Sequence, residues 1–174
     1  MTGLKLIEEF LNTVDERTFR RHGEPHVAGE RLTSPQELAD WLTAHDLAAA
    51  GARLRPADLA ATVDLRTALR QALTGDTTAT AALAGYPLRL TPDPADGLRI
   101  AATSGLPWLN AIVETVAEST ARGDWHRIKL CAAPDCRWAF HDTSRSGRGR
   151  WCSMETCGNR HKTRAYRERR HRAG

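Results

Sequence analysis

The four cysteines decide what the C-terminal quarter of this 174-residue chain can fold into. They are the only four, at Cys131, Cys136, Cys152 and Cys157. The pattern is two C-x4-C pairs with fifteen residues between them. Each pair brings two thiolates to one side of an ion, and a spacer of hairpin length folds the pairs together, which is what a tetrahedral zinc site needs. Disulfide pairing is the alternative, but in a reducing compartment paired cysteines point to metal. Four thiolates leave no open position, so the zinc is a single structural ion that folds its segment and does no Lewis-acid chemistry. His141 and His161 stand close enough in sequence to replace a cysteine.

The residues around the cysteines predict a small fold. WHRIKLC and RWAFHD alternate as short strands, TSRSGRGR is a glycine-rich basic turn, and RWC leads back as a second strand. SMETCGNRHKTRAYRERRHR then reads as a helix capped by Ser153, with Glu155 in its first turn. Knuckle, hairpin and helix make a treble-clef-like zinc finger with four cysteine ligands; a simple zinc ribbon is the alternative.

Charge separates this segment from the rest. Residues 1–121 hold 11 Lys/Arg against 16 Asp/Glu, a net of −5, and residues 122–174 hold 14 against 5, a net of +9. From Gly158 onward the helix has no apolar stripe, so no core holds it. Its like charges (Arg160, Lys162, Arg164, Arg167 and Arg170 among them) repel one another, and phosphates relieve that repulsion with release of counterions. Arg145, Arg148 and Arg150 in the glycine-rich turn add a second contact point. The expected partner is nucleic acid.

The first 123 residues read as mainly helical. Leu4, Ile7, Leu11 and Val14 stand at helical spacing, with Phe10 widening the stripe. RRHGEPHVAGERL reads as a loop. TSPQELADWL opens a helix on Ser34, Pro35 and Glu37, and RPADLAATVDLRTALRQAL follows with a face of Leu59, Val63, Leu65, Leu69 and Leu73. LRLTPDPADGLRI is a hairpin, and LPWLNAIVETVAEST a last helix with Trp108, Ile112 and Val116 inward. The fold class is α+β: a mainly α-helical N-terminal domain with a small β-hairpin (1–123), plus the finger (124–174). The N-terminus shows no signal peptide and no apolar run spans a bilayer, so a cytoplasmic protein is expected.

Cys131, Cys136, RWAFHD, SRSGRGRWC and the tetrad Cys157-Gly158-Asn159-Arg160 together resemble the CGNR zinc finger family. EFLNTVD, TSPQELADWL and DLRTALRQAL are similar to the ABATE domain that precedes such fingers, described as a putative stress-induced transcription regulator. The resemblance implies a zinc-dependent DNA-binding regulator with an N-terminal domain that senses a small ligand. It makes Asn159 and Arg160 readers of DNA, with Asn159 alternatively satisfying backbone groups in the knuckle. Asn12 and Thr13, paired with Arg66 or Arg70, form either a polar ligand pocket or a helix cap with buried hydrogen bonds. A homodimer fits the difficulty of reading a short site with one finger. The competing functions are RNA or ribosome binding, which needs stacking aromatics beyond Tyr166 and Trp151, and a protein-interaction module. Zinc thiolates are also open to oxidation, which suggests a redox role. No nucleophile constellation or phosphate loop points to an enzyme.

Overall fold

The computed structural model describes residues 3–21 and 24–172, the side chains of Arg21, His171 and Arg172 excepted. Helix α1 (Gly3–Leu11) buries Leu6, Ile7, Phe10 and Leu11, two pairs one helical turn apart that form a single stripe. It ends before the stripe does. Thr13 turns its hydroxyl back to the Phe10 carbonyl at 2.8 Å, and Val14 leaves the helix for a strand.

The stretch expected as a loop is, apart from residues 22 and 23, which lie outside the described residues, an arm of short paired strands. Strand β1 (Val14–Asp15) pairs with β4 (Gly29–Glu30), and inside them β2 (Arg20–Arg21) pairs with β3 (Glu24–Pro25), all antiparallel. The arm has no apolar period because polar contacts hold it. Asp15 accepts from Arg17 Nε and Nη2 at 2.9 and 2.6 Å, and its carboxylate meets His26 Nε2 at 2.7 Å.

Helix α2 (Pro35–Ala44) begins as its sequence predicts: Pro35 takes the first position and the Ser34 hydroxyl accepts the Glu37 N–H at 3.2 Å. The Glu37 carboxylate reaches back to the Thr33 N–H at 2.8 Å. Helix α3 (Pro56–Ala72) buries Leu65, Ala68 and Leu69, but beside them it buries Asp58, Thr62, Arg66 and Arg70. Leu59, Val63 and Leu73, expected on the core face, are only partly covered. The short α4 (Ala79–Leu83) leads to the hairpin of β5 (Leu88–Asp93) and β6 (Gly97–Ala102), and α5 (Pro107–Ala121) follows.

A single 3-10 turn, Trp125–Arg127, enters strand β7 (Ile128–Leu130), which pairs antiparallel with β8 (Ala139–His141). RWC is not a strand here. It touches the hairpin through one backbone bond, Ala132 N–H to the Arg150 carbonyl at 2.8 Å. The hairpin therefore closes around the first cysteine pair, and the glycine-rich turn lies beyond it. A π-helical turn at Met154–Gly158 carries Cys157 and runs into α6 (Asn159–Arg172). The whole is α+β: helices, small antiparallel pairs, and a C-terminal treble-clef-like finger.

One hydrophobic core runs through both halves. Ile7, Phe10 and Leu11 of α1, Trp41 and Leu42 of α2, Leu65 and Leu69 of α3, and Leu109 and Ile112 of α5 meet Ile128 and Ala139 of the finger hairpin. Ile128 and Ala139 are all but inaccessible to solvent. No helix among the described residues is long and apolar enough to cross a membrane.

Candidate metal centre and nucleic-acid surface

The four Cys Sγ atoms all lie within 4.8 Å of one another. Cys136 Sγ stands 3.7 Å from Cys152 Sγ, and Cys152 Sγ 3.8 Å from Cys157 Sγ. A tetrahedron with metal–sulfur bonds of ~2.3 Å has edges of ~3.8 Å, so these spacings fit zinc. The knuckle turns are built for it. The Cys131 N–H donates to the Trp138 carbonyl at 2.9 Å, Cys136 N–H to Ala133 at 2.9 Å, and Cys157 N–H to Ser153 at 3.0 Å. Arg137, at φ 50°, takes the left-handed turn that closes the first knuckle. The thiols cannot all ionise on their own. A hydrogen bond from Cys136 helps carry Cys131 down to about 2, and the same contact pushes Cys136 up to about 12. A dication removes that conflict, which is the chemistry of a four-thiolate zinc site. The histidines stay outside the sulfur cluster: His141 lies on β8, and His161 stacks on Trp151 with ring centroids 4.6 Å apart.

Gly158 is buried, and a Cβ there would come within 2.7 Å of the Met154 thioether and 3.4 Å of the Trp151 ring. Arg160 is held at the helix start. Its Nη1 and Nη2 donate to the two Asp135 oxygens at 2.6 and 2.9 Å, and Nη2 lies 3.8 Å from Cys157 Sγ. Asn159 beside it is exposed, with no side-chain partner among the described residues.

The glycine-rich turn has an organiser that sequence reasoning missed. Asp142 is buried, and its carboxylate accepts from Lys129 Nζ at 2.7 Å, the Ser144 N–H at 3.0 Å and the Gly149 N–H at 2.7 Å. The Lys129 ammonium, then the Ser144 bond, hold its carboxyl far below the usual carboxylate range. A Cβ on Gly149 would meet Asp142 Oδ1 at 2.6 Å, so this turn needs glycine. Arg145, Arg148 and Arg150 stand exposed on the turn so formed. On α6, Lys162, Arg164, Arg167 and Arg170 are exposed too, and Asn159, Arg160, Thr163, Arg164, Arg167 and Glu168 share one open face of the helix. Arg164 bridges to Glu168 at 3.0 Å, and Arg170 stands 6.0 Å from the Tyr166 ring.

Family comparison agrees with this geometry at both ends of the chain. The CGNR zinc finger model matches residues 127–170, over the sulfur cluster and α6. The ABATE model, described as a putative stress-induced transcription regulator, matches residues 4–135. The chain belongs to the ABATE family. No curated protein matches it. Neither matched family is an enzyme family by its description.

Within the ABATE segment, Asn12, Thr13, Arg66 and Arg70 are all buried. Asn12 clamps strand β8: its Nδ2 donates to the Ala139 carbonyl at 2.9 Å and its Oδ1 accepts the Ala139 N–H at 2.8 Å. Arg66 donates to Thr13 Oγ1 at 2.8 Å and to the Glu30 carboxylate. Arg70 donates to the Leu11 carbonyl at 2.9 Å, to Glu16 at 2.7 Å and to the Arg137 carbonyl at 2.9 Å. Burial pulls Arg70 below the ordinary guanidinium value; burial would raise Glu16, but Arg70 and Arg137 bring it below its usual range. The four residues join α1, the arm and α3 to the finger. A separate pocket of 290 Å³, lined by Leu65, Leu69, Leu83, Val113, Val116 and Trp125, lies between α3 and α5. It is apolar, so no motif announced it.

Proposed function

We propose that this ABATE protein is a zinc-dependent, DNA-binding transcriptional regulator. The observation that carries it is α6. From His161 to Arg170 every residue but Ala165 is exposed, so no core explains the helix, and its cations join those of the ordered turn beside a four-cysteine site. The metal ligands are Cys131, Cys136, Cys152 and Cys157. Arg145, Arg148, Arg150, Lys162, Arg164, Arg167 and Arg170 would neutralise phosphates. Asn159, exposed at the head of α6 and without a side-chain partner among the described residues, is the candidate for a base edge. Arg160 serves the fold first, as the tie between α6, Asp135 and Cys157.

The reading assigns residues 1–123 to effector response and 124–174 to DNA, within a cytoplasmic, non-catalytic protein. The polar set of Asn12, Thr13, Arg66 and Arg70 is then the coupling between the two, and the pocket ending at Trp125 suits a small apolar effector. A homodimer completes the proposal, since two fingers read a longer site.

The test is binding of zinc-loaded protein to random-sequence duplex DNA and to RNA across salt concentrations, with selection on the DNA arm. A steep salt dependence and an enriched motif are expected. Preference for RNA would replace this reading with an RNA-binding one; no binding to either would leave a protein-interaction module.

A further inference from the structure

The sulfur cluster is covered from outside by residues that no finger motif contains. Phe19, in the N-terminal arm, is buried against Cys131, Ala133, Cys136 and Cys157. It is 7% exposed although it sits between two-residue strands, so what buries it is the finger. The arm is tied there by its backbone, through the Thr18 N–H on the Asp135 carbonyl at 3.0 Å.

Two guanidinium groups complete the cover. Arg160 lies over the Phe19 ring, 3.9 Å from its centroid, with Nη2 3.8 Å from Cys157 Sγ. Arg17 lies over Trp138, 4.1 Å from the ring centroid, and Trp138 packs on the same sulfur cluster. Asp15 holds the other edge of Arg17 through its Nε and Nη2. A zinc dication bound by four thiolates carries two excess negative charges, and a buried charge of that kind needs partners. One cation and one aromatic ring come from the arm, and one cation from the finger.

We propose that the N-terminal arm is part of the zinc centre: Phe19 closes it against water, and Arg17 and Arg160, each oriented by a carboxylate (Asp15 and Asp135), set guanidinium groups around its thiolates. This rests on the zinc reading above. It makes Arg17 and Phe19 positioning residues for a metal bound more than a hundred residues away in sequence. It also gives the N-terminal domain a direct hold on the finger, because moving the arm uncovers the sulfurs. Groups around metal ligands commonly change metal affinity 10- to 100-fold.

The experiment uses the full chain loaded with zinc, and with cobalt as a spectroscopic stand-in. Arg17→Gln and Phe19→Ala are compared with wild type and with the exposed Arg53→Gln for the rate of metal transfer to a chromogenic chelator and for affinity by chelator competition. The expected result is transfer about ten- to hundredfold faster for the first two, wild-type behaviour for Arg53→Gln, and rescue by Arg17→Lys. Cobalt spectra of four-thiolate type in every variant would show that the ligand set is intact and the variants fold. Wild-type transfer rates in both Arg17→Gln and Phe19→Ala would overturn the proposal while leaving the zinc reading standing. A wild-type protein with no thiolate–cobalt band would remove the zinc reading, and this proposal with it.

Discussion

Asp142 shows how one carboxylate can set a basic surface it does not belong to. It sits behind the basic turn, and its three partners fix where Ser144 and Gly149 lie, hence where Arg145, Arg148 and Arg150 point. Asp142→Asn removes the charge and sets an amide N–H against donors. The expected loss is about 1–3 kcal/mol of finger stability, with weaker DNA binding but retained zinc, read by chemical denaturation, binding titration and metal content. The pH sign follows from the same contacts. The folded carboxyl is held below its unfolded value, so its contribution is present above about pH 4 and is lost as pH falls toward the folded value. Acid unfolding of Asp142→Asn should therefore be shallower than that of wild type. Asn12 works by similar logic in the core. Asn12→Ala strands both Ala139 backbone groups, and a cost of about 2–4 kcal/mol is expected from thermal or denaturant melts. A loss below about 0.5 kcal/mol would mean that water replaces the amide.

Among the elements, α6 is the one that carries the densest charge. Its charges repel, and among the described residues only the Arg164–Glu168 pair offsets them within the helix. Exposed pairs of this kind contribute little. Arg164→Ala with Arg167→Ala should lower the slope of log affinity against log salt by about 0.9 for each phosphate that is no longer neutralised, with zinc content unchanged. Glu168→Gln frees Arg164 and should strengthen binding. An unchanged slope in the double variant would take α6 off the DNA. This helix, α2 and the sulfur cluster are legible in the sequence because their signals are local: cap residues, cysteine spacing, a dense run of cations. The arm is not. Its ordering rests on Asp15, Arg17 and His26 meeting one another and on Phe19 meeting cysteines, which no period of two or 3.6 reveals. The polar stripe of α3 is half legible. Arg66 and Arg70 stand out as candidates, but the partner of Arg70 across the core is a carbonyl 67 positions away, and spacing carries no trace of it. The finger hairpin takes a different return strand from the one its sequence suggests, because RWC has strand-like residues and only the packing of Ala139 on α1 shows which segment pairs.

For the molecule as a whole, the β5–β6 hairpin bears on how many fingers would meet DNA under the function proposed above. Its register sets Leu88 opposite Ala102, Leu90 opposite Ile100 and Pro92 opposite Leu98, all on one face. That face carries no charge, and Leu90 and Leu98 are 73% and 60% exposed. Arg89, Thr91 and Arg99 occupy the opposite face, where Arg99 bridges to Glu114 of α5. A two-stranded ribbon with one face bare is marginal alone. An uncharged face meets its own copy without repulsion, and a two-fold axis through it would set two apolar stripes against each other. The expected partner is a second copy of the chain. Leu90→Lys with Leu98→Lys places four like charges in such an interface. Sedimentation should then show the wild type as a dimer and the double variant as a folded monomer with unchanged zinc. DNA affinity of the variant should fall without loss of binding per finger, because each finger is intact and only their linkage is gone. A wild-type protein that sediments as a monomer, on and off DNA, would assign the bare face to some other partner and leave each finger to read its site alone.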